Sequence, residues 1–143
     1  MSETLLDRAL RNFKAAQVNY QYRTDDDFFL NLTGYLLQQA TELALKHVLE
    51  INGIKYPRTH NIDELLGLLP VSLGYRLDNL FMMSGTITNW ESKSRYIKNY
   101  FLEERQIKLG FSVVEEFLRD VGVSHLNDSV SANKVSCMEL ERD

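Results

Sequence analysis

Apolar residues recur at steps of three and four near the start of the chain. Leu6, Ala9, Leu10, Phe13, Ala16 and Tyr20 fall on one stripe, which predicts a first helix from Ser2 to Tyr20. Thr24 and the acidic run Asp25, Asp26 and Asp27 then offer a side-chain cap and negative charge, which suit the positive end of a helix macrodipole. A second helix is expected to begin there. It runs through FFLNLTGYLLQQATELALKHVLEI, and Asn52-Gly53 supplies a left-handed stop. Phe28, Phe29, Leu32, Leu36, Leu37, Ala40, Leu43, Ala44 and Val48 cover a wide arc of this segment, the pattern of a helix buried on several sides. Gly34 in its interior costs about 1 kcal/mol relative to Ala and predicts a neighbouring backbone passing close by.

Beyond the KYP turn, Asn61 stands three residues before Glu64 at capping-box spacing, and IDELLGLL forms a short helix ahead of Pro70. Ser72 is expected to cap a further helix through GYRLDNLFMMS. Thr88 with Glu91 repeats the spacing and predicts a fresh start before WESKSRY. A last helix is expected from Leu102 to Val121, with Ile107, Phe111, Val114, Phe117, Leu118 and Val121 inward and Gly122 as its stop. No strand-like alternation occurs. The pattern describes an all-α, up-and-down bundle of five to six helices around a long central antiparallel hairpin, spanning residues 1–122. Residues 123–143 are rich in Ser, Asn and Asp, with too few apolar positions to order themselves, and read as a mobile polar tail.

Composition narrows function more than fold. Sixteen Lys and Arg against twenty Asp and Glu leave a net charge of -4, which argues against coating nucleic acid by bulk positive charge but permits a local basic pocket. The single Cys137 allows no internal disulfide and, lacking partners at ligand spacing, no zinc site. A reducing, cytoplasmic setting is expected: the N-terminus lacks a signal-peptide core and no apolar run is long enough to span a bilayer. No phosphate loop, serine elbow or paired-His metal motif is present, so neither a cofactor nor a metal is expected.

Three weaker constellations carry the candidate chemistry. Glu42 and Lys46 are four apart, share a helix face with His47 close by, and on their own describe a surface ion pair worth a few tenths of a kcal/mol. Within ESKSRYIKNY, Arg95 offers a planar fork for phosphate, Tyr96 and Tyr100 stacking faces, and Lys98 a point charge. The bland reading pairs Glu91 with Arg95 and makes the tyrosines loop anchors. Arg58-Thr59-His60 precedes the short helix, whose backbone N–H groups could hold an anion, although a lone His at such a corner is commonly a turn residue.

The segment YLLQQATELALKHVLEINGIKYPRTHNIDELL resembles the centre of HEPN domains, a family of nucleotide- and RNA-associated helical proteins. The likeness is carried by Ala40, Glu42, Lys46, Gly53, Pro57, Thr59, His60, Leu65 and Leu66 in that order, and by Arg95-Tyr96 ahead of the last helix, over about residues 5 to 121. It implies a homodimeric bundle whose polar cleft takes a nucleotide or RNA, with Arg95, Tyr96, Tyr100, Lys46, Glu42 and His60 as its contacts, and a nucleotidyltransferase as partner in a toxin–antitoxin pair. Nuclease members carry an Arg followed four to six residues later by a His. No His follows Arg95 in that window; Tyr100 stands there instead, and Ile97 replaces a frequent Pro. A phenol with a pKa near 10 does not exchange protons at neutral pH as imidazole does, which points to binding without cleavage. Two alternatives remain: a ribonuclease with a non-standard acid–base pair such as His60 with Lys46, and a helical scaffold with no ligand.

Overall fold

A computed structural model of the protein describes residues 3–22, 28–75, 77–96 and 103–129, with side chains described for these except at 28, 91–96 and 123–129. Among the described residues, five helices follow one another: α1 (Leu5–Gln21), α2 (Phe28–Ile51), α3 (Ile62–Gly67), α4 (Asp78–Tyr96) and α5 (Glu104–Ser129), with one 3₁₀ turn at Val71–Leu73. No strand occurs among the described residues, and the chain is an all-α bundle.

Helix α1 starts at Leu5, three residues later than the periodicity alone predicts, with Thr4 as its N-cap. The Thr4 hydroxyl accepts the Asp7 N–H at 3.0 Å, while Asp7 Oδ2 accepts the Thr4 N–H at 3.0 Å, closing a full capping box. Leu6, Ala9, Phe13 and Ala16 are buried as the stripe requires, whereas Leu10 lies at the stripe's edge and is exposed. The acidic cap expected at Thr24 to Asp27 lies outside the described residues. Asn19 fastens the hairpin between α1 and α2: its Nδ2 donates to the Phe29 carbonyl and to Thr33 Oγ1, both at 2.8 Å.

Helix α2 is the post on which every other helix packs. Leu37, Ala40, Leu43, Ala44 and Val48 are buried as expected. Leu45 and Leu49 are buried too, so the apolar arc is wider than the sequence suggested. Its end is a Schellman turn: Gly53 has φ 69°, its N–H reaches the Glu50 carbonyl at 3.1 Å, and the Ile54 N–H reaches Leu49 at 2.9 Å.

The expected break before WESKSRY does not occur. Asp78 to Tyr96 form one helix, because Leu80, Met83, Ile87 and Trp90 keep a single buried stripe across the whole segment. Thr88 caps nothing; its Oγ1 accepts the Ile62 N–H at 2.9 Å and ties the start of α3 to α4. Ser72 lies in the 3₁₀ turn and caps no helix. Helix α5 likewise passes through Gly122 and continues to Ser129. Ile107, Val114, Phe117, Leu118 and Val121 are buried along it, while Phe111 is half-buried against Phe13 and Tyr20 of α1, with ring centroids 5.9 and 5.3 Å apart.

Candidate functional site

Three positions one turn apart on α2, Gln38, Glu42 and Lys46, line up on the side that meets the corner before α3. Glu42 is only 4% exposed, so the expected surface ion pair is instead a buried carboxylate. Its Oε2 accepts from Lys46 Nζ at 2.9 Å, and its Oε1 accepts from Gln38 Nε2 at 2.9 Å and faces His60 Nδ1 at 3.0 Å. Burial pushes this carboxyl's pKa up, but hydrogen bonds from Lys46, Gln38 and His60, with the Lys46 charge, outweigh it and hold it below the ordinary value. Glu42 is therefore ionised at neutral pH.

Lys46 is itself largely covered, and its ammonium lies 5.8 Å from the centroid of the Tyr56 ring. Tyr56 in turn donates its hydroxyl to Glu50 Oε2 at 3.1 Å. Its pKa is raised by burial and by the Glu50 carboxylate.

At the start of α3 the backbone N–H groups of Asn61, Ile62 and Glu64 are taken by acceptors within the protein. Ile62 N–H goes to Thr88, Glu64 N–H to Asn61 Oδ1 at 3.1 Å, and Asn61 N–H to Thr59 Oγ1 at 3.0 Å. Asn61 thus caps through one bond, and Thr59 takes the place the reciprocal Glu64 bond would have had. What this wiring does achieve is to hold the 59–61 corner still, so that the His60 ring leans on Glu42 with one edge while its side chain remains 67% exposed. His47, the neighbour of Lys46, is buried.

Glu42, Lys46 and His60 are thus brought together, three of the six expected contacts. Gln38 joins them unforeseen. It was overlooked because a lone Gln on a helix is ordinary; the legible signal was its place in a row of donor, acceptor and donor at four-residue steps on an otherwise apolar helix. Arg95 and Tyr96 form the last turn of α4, and Tyr100 lies outside the described residues. Arg95 stands seven residues past Thr88, so the two positions share a helix face about 10 Å apart. Thr88 is the α4 residue bonded beside the His60 corner.

The order of these elements, α2 with its Glu and Lys, the Thr-His corner and the long α4 and α5, agrees with a family model described as the HEPN domain, which matches residues 2–124. The chain belongs to the HEPN family. This HEPN domain is accordingly a helical module of a nucleotide- and RNA-related family whose members often bind such ligands and dimerise. No curated protein and no solved structure matches the chain. Among the described residues, no helix is long and apolar enough to cross a membrane.

One further pattern was overlooked in the sequence. Arg119 precedes His125 by six residues, the spacing of the nuclease members, but within α5. At about 100° per residue the two positions point about 120° apart on a straight helix, and Arg119 lies 3.5 Å from Glu115 Oε1.

Proposed function

We propose that this HEPN domain binds a nucleotide or a short single-stranded RNA on the surface where the His60 corner meets α2, without cutting it. The observation that carries the reading is the buried Glu42 carboxylate, which gathers Lys46 and Gln38 beneath an exposed His60 ring. A buried ionised group is costly to keep unless it organises its neighbours. Here it gathers three polar side chains at the place where α2 meets the His60 corner. Arg95, Tyr96 and Tyr100 belong to the same surface in this proposal, Arg95 for a phosphate and the tyrosines for bases. Cleavage through Arg95 is set aside because it has no His at nuclease spacing.

Titration with labelled ATP and with a short single-stranded RNA tests the reading. The wild type binds one of them, and Arg95→Ala and His60→Ala each weaken binding at least tenfold. No binding by the wild type would leave a helical scaffold without a ligand. Homodimerisation, pairing with a nucleotidyltransferase as a toxin–antitoxin system, and a cytoplasmic setting belong to the same proposal. Light scattering at micromolar concentration giving a monomer mass would remove the first of these.

One observation favours a second reading, a ribonuclease. The Glu42 contact orients His60 as a carboxylate orients the base of an acid–base pair. Lys46 is committed to the same carboxylate, so His60 would act with it and not with a separate ammonium. Total RNA incubated with the protein decides: cleavage abolished by His60→Ala supports this reading, and intact RNA rejects it.

A further inference from the structure

Gln38 is completely buried, and every hydrogen-bonding position of its amide that the cluster uses is spoken for. Nε2 donates to Glu42 Oε1 at 2.9 Å and to the His60 backbone carbonyl at 3.2 Å, while Oε1 accepts from Gln39 Nε2 at 2.9 Å. Both partners of Nε2 are pure acceptors, so the network itself fixes which end of the amide faces them. One side chain therefore pins the backbone of His60 and the carboxylate on which its ring rests.

The tautomer follows from the same bookkeeping. An ionised carboxylate has no proton to give, so at the 3.0 Å contact with Glu42 Oε1 the proton must be on His60 Nδ1. In the neutral ring, Nε2 is then left with a lone pair. It has no partner among the described residues and sits on a side chain that is 67% exposed. The cluster beneath is balanced: the Lys46 charge is spent on Glu42. A neutral acceptor over a neutralised ion pair repels rather than attracts a phosphate oxygen, which carries lone pairs of its own. It takes a hydrogen-bond donor, and in a polynucleotide chain the donor outside the bases is the sugar hydroxyl.

We infer that Gln38 is a positioning residue that locks His60 in its Nδ1–H form, so that Nε2 is presented as the acceptor for a sugar hydroxyl of the bound ligand. This rests on the nucleotide- or RNA-binding reading above for its ligand, but the positioning itself can be read without any ligand.

Two measurements test it, both on the full chain at pH 8, where an imidazole is neutral. Nitrogen-15 chemical shifts of the His60 ring read the tautomer directly in the free protein. The Nδ1–H form is expected in the wild type, with a mixture of tautomers in Gln38→Met and no change in a Lys14→Ala control on the exposed face of α1. A wild-type ring in the Nε2–H form overturns the inference whatever the protein binds. The second measurement compares a uridine ribo-oligomer with the deoxyuridine oligomer of equal length, which differ only in the hydroxyl. The ribo-oligomer is expected to bind roughly tenfold more tightly, the worth of one hydrogen bond. His60→Asn keeps a donor toward Glu42 and removes the outer acceptor, so it is expected to bring the ratio to about one. Equal wild-type affinity for both oligomers overturns the sugar assignment while leaving RNA binding intact. Binding of neither overturns the functional reading and the assignment with it, while the ring shifts still decide the role of Gln38.

Discussion

Glu42 is the residue on which the polar edge of α2 depends, and its chemistry gives a signed dependence on pH. Its folded-state pKa lies below the ordinary 4.5, so the charged form is favoured by folding and stabilises the fold at every pH above that value. As pH falls below 4.5 and through the depressed folded value, the carboxylate takes up a proton and this contribution is lost. Glu42→Gln is therefore expected to destabilise the protein by about 3 kcal/mol at pH 7, since it leaves the covered Lys46 ammonium without its counter-charge. In urea titrations repeated from pH 7 to pH 3, the gap between variant and wild type should close in the acid range. A gap that stays constant would mean that the charge of Glu42 contributes nothing. The sequence revealed the Glu42–Lys46 pair by its spacing, but not its burial. Spacing reports which residues share a helix face and is silent on what covers that face; the cover here is a corner eighteen residues further along, fixed by His60.

At the scale of elements, the packing of α5 against α4 turns on one glycine. A Cβ built on Gly110 would fall 2.5 Å from Trp90 Cη2 and 3.0 Å from its Cζ3, and Trp90 is a fully buried rigid ring. Gly110→Ala gains about 1 kcal/mol of helix propensity but pays more in overpacking, so a net loss of about 1–2 kcal/mol is expected. Gly122→Ala is the internal control. It lies in the same helix with nothing within 4 Å of the added Cβ, and should stabilise by about 0.5–1 kcal/mol. Thermal melts of the two variants should move in opposite directions. Gly122 also shows why helix ends were harder to read than helix existence. A glycine stops a helix only when the chain must turn there, and the buried stripe of Phe117, Leu118 and Val121 carries α5 past it. The Thr88 misreading has the same origin. Its capping spacing is real, but the N–H that it satisfies belongs to Ile62 of another helix, and local sequence cannot distinguish an intrahelical partner from a distant one. Thr88→Val, which removes that acceptor at constant shape, is expected to cost about 1–2 kcal/mol and to loosen the corner that carries His60. Amide exchange at Ile62 should accelerate in that variant.

For the whole molecule, the balance of charge constrains how any nucleic acid is held. With sixteen basic against twenty acidic side chains, the protein repels a polyanion at long range, so affinity has to come from short contacts. Within the cluster the Lys46 ammonium is taken up by the Glu42 carboxylate, so the pair offers no free positive charge. That leaves Arg95 as the one proposed phosphate contact. Each phosphate neutralised on a single strand contributes about -0.7 to the slope of log K against log salt, so a slope near -1 is expected for a short uridine ribo-oligomer. Proteins that bind by bulk charge show far steeper dependence. A slope steeper than about -3 would require several phosphates to be held at once. The interface would then lie on a basic surface apart from the His60 corner, and Arg95→Ala would barely flatten the line. A shallow slope that Arg95→Ala brings close to zero, together with the ribose preference set by His60, would instead assign charge recognition and sugar recognition to different ends of one small site.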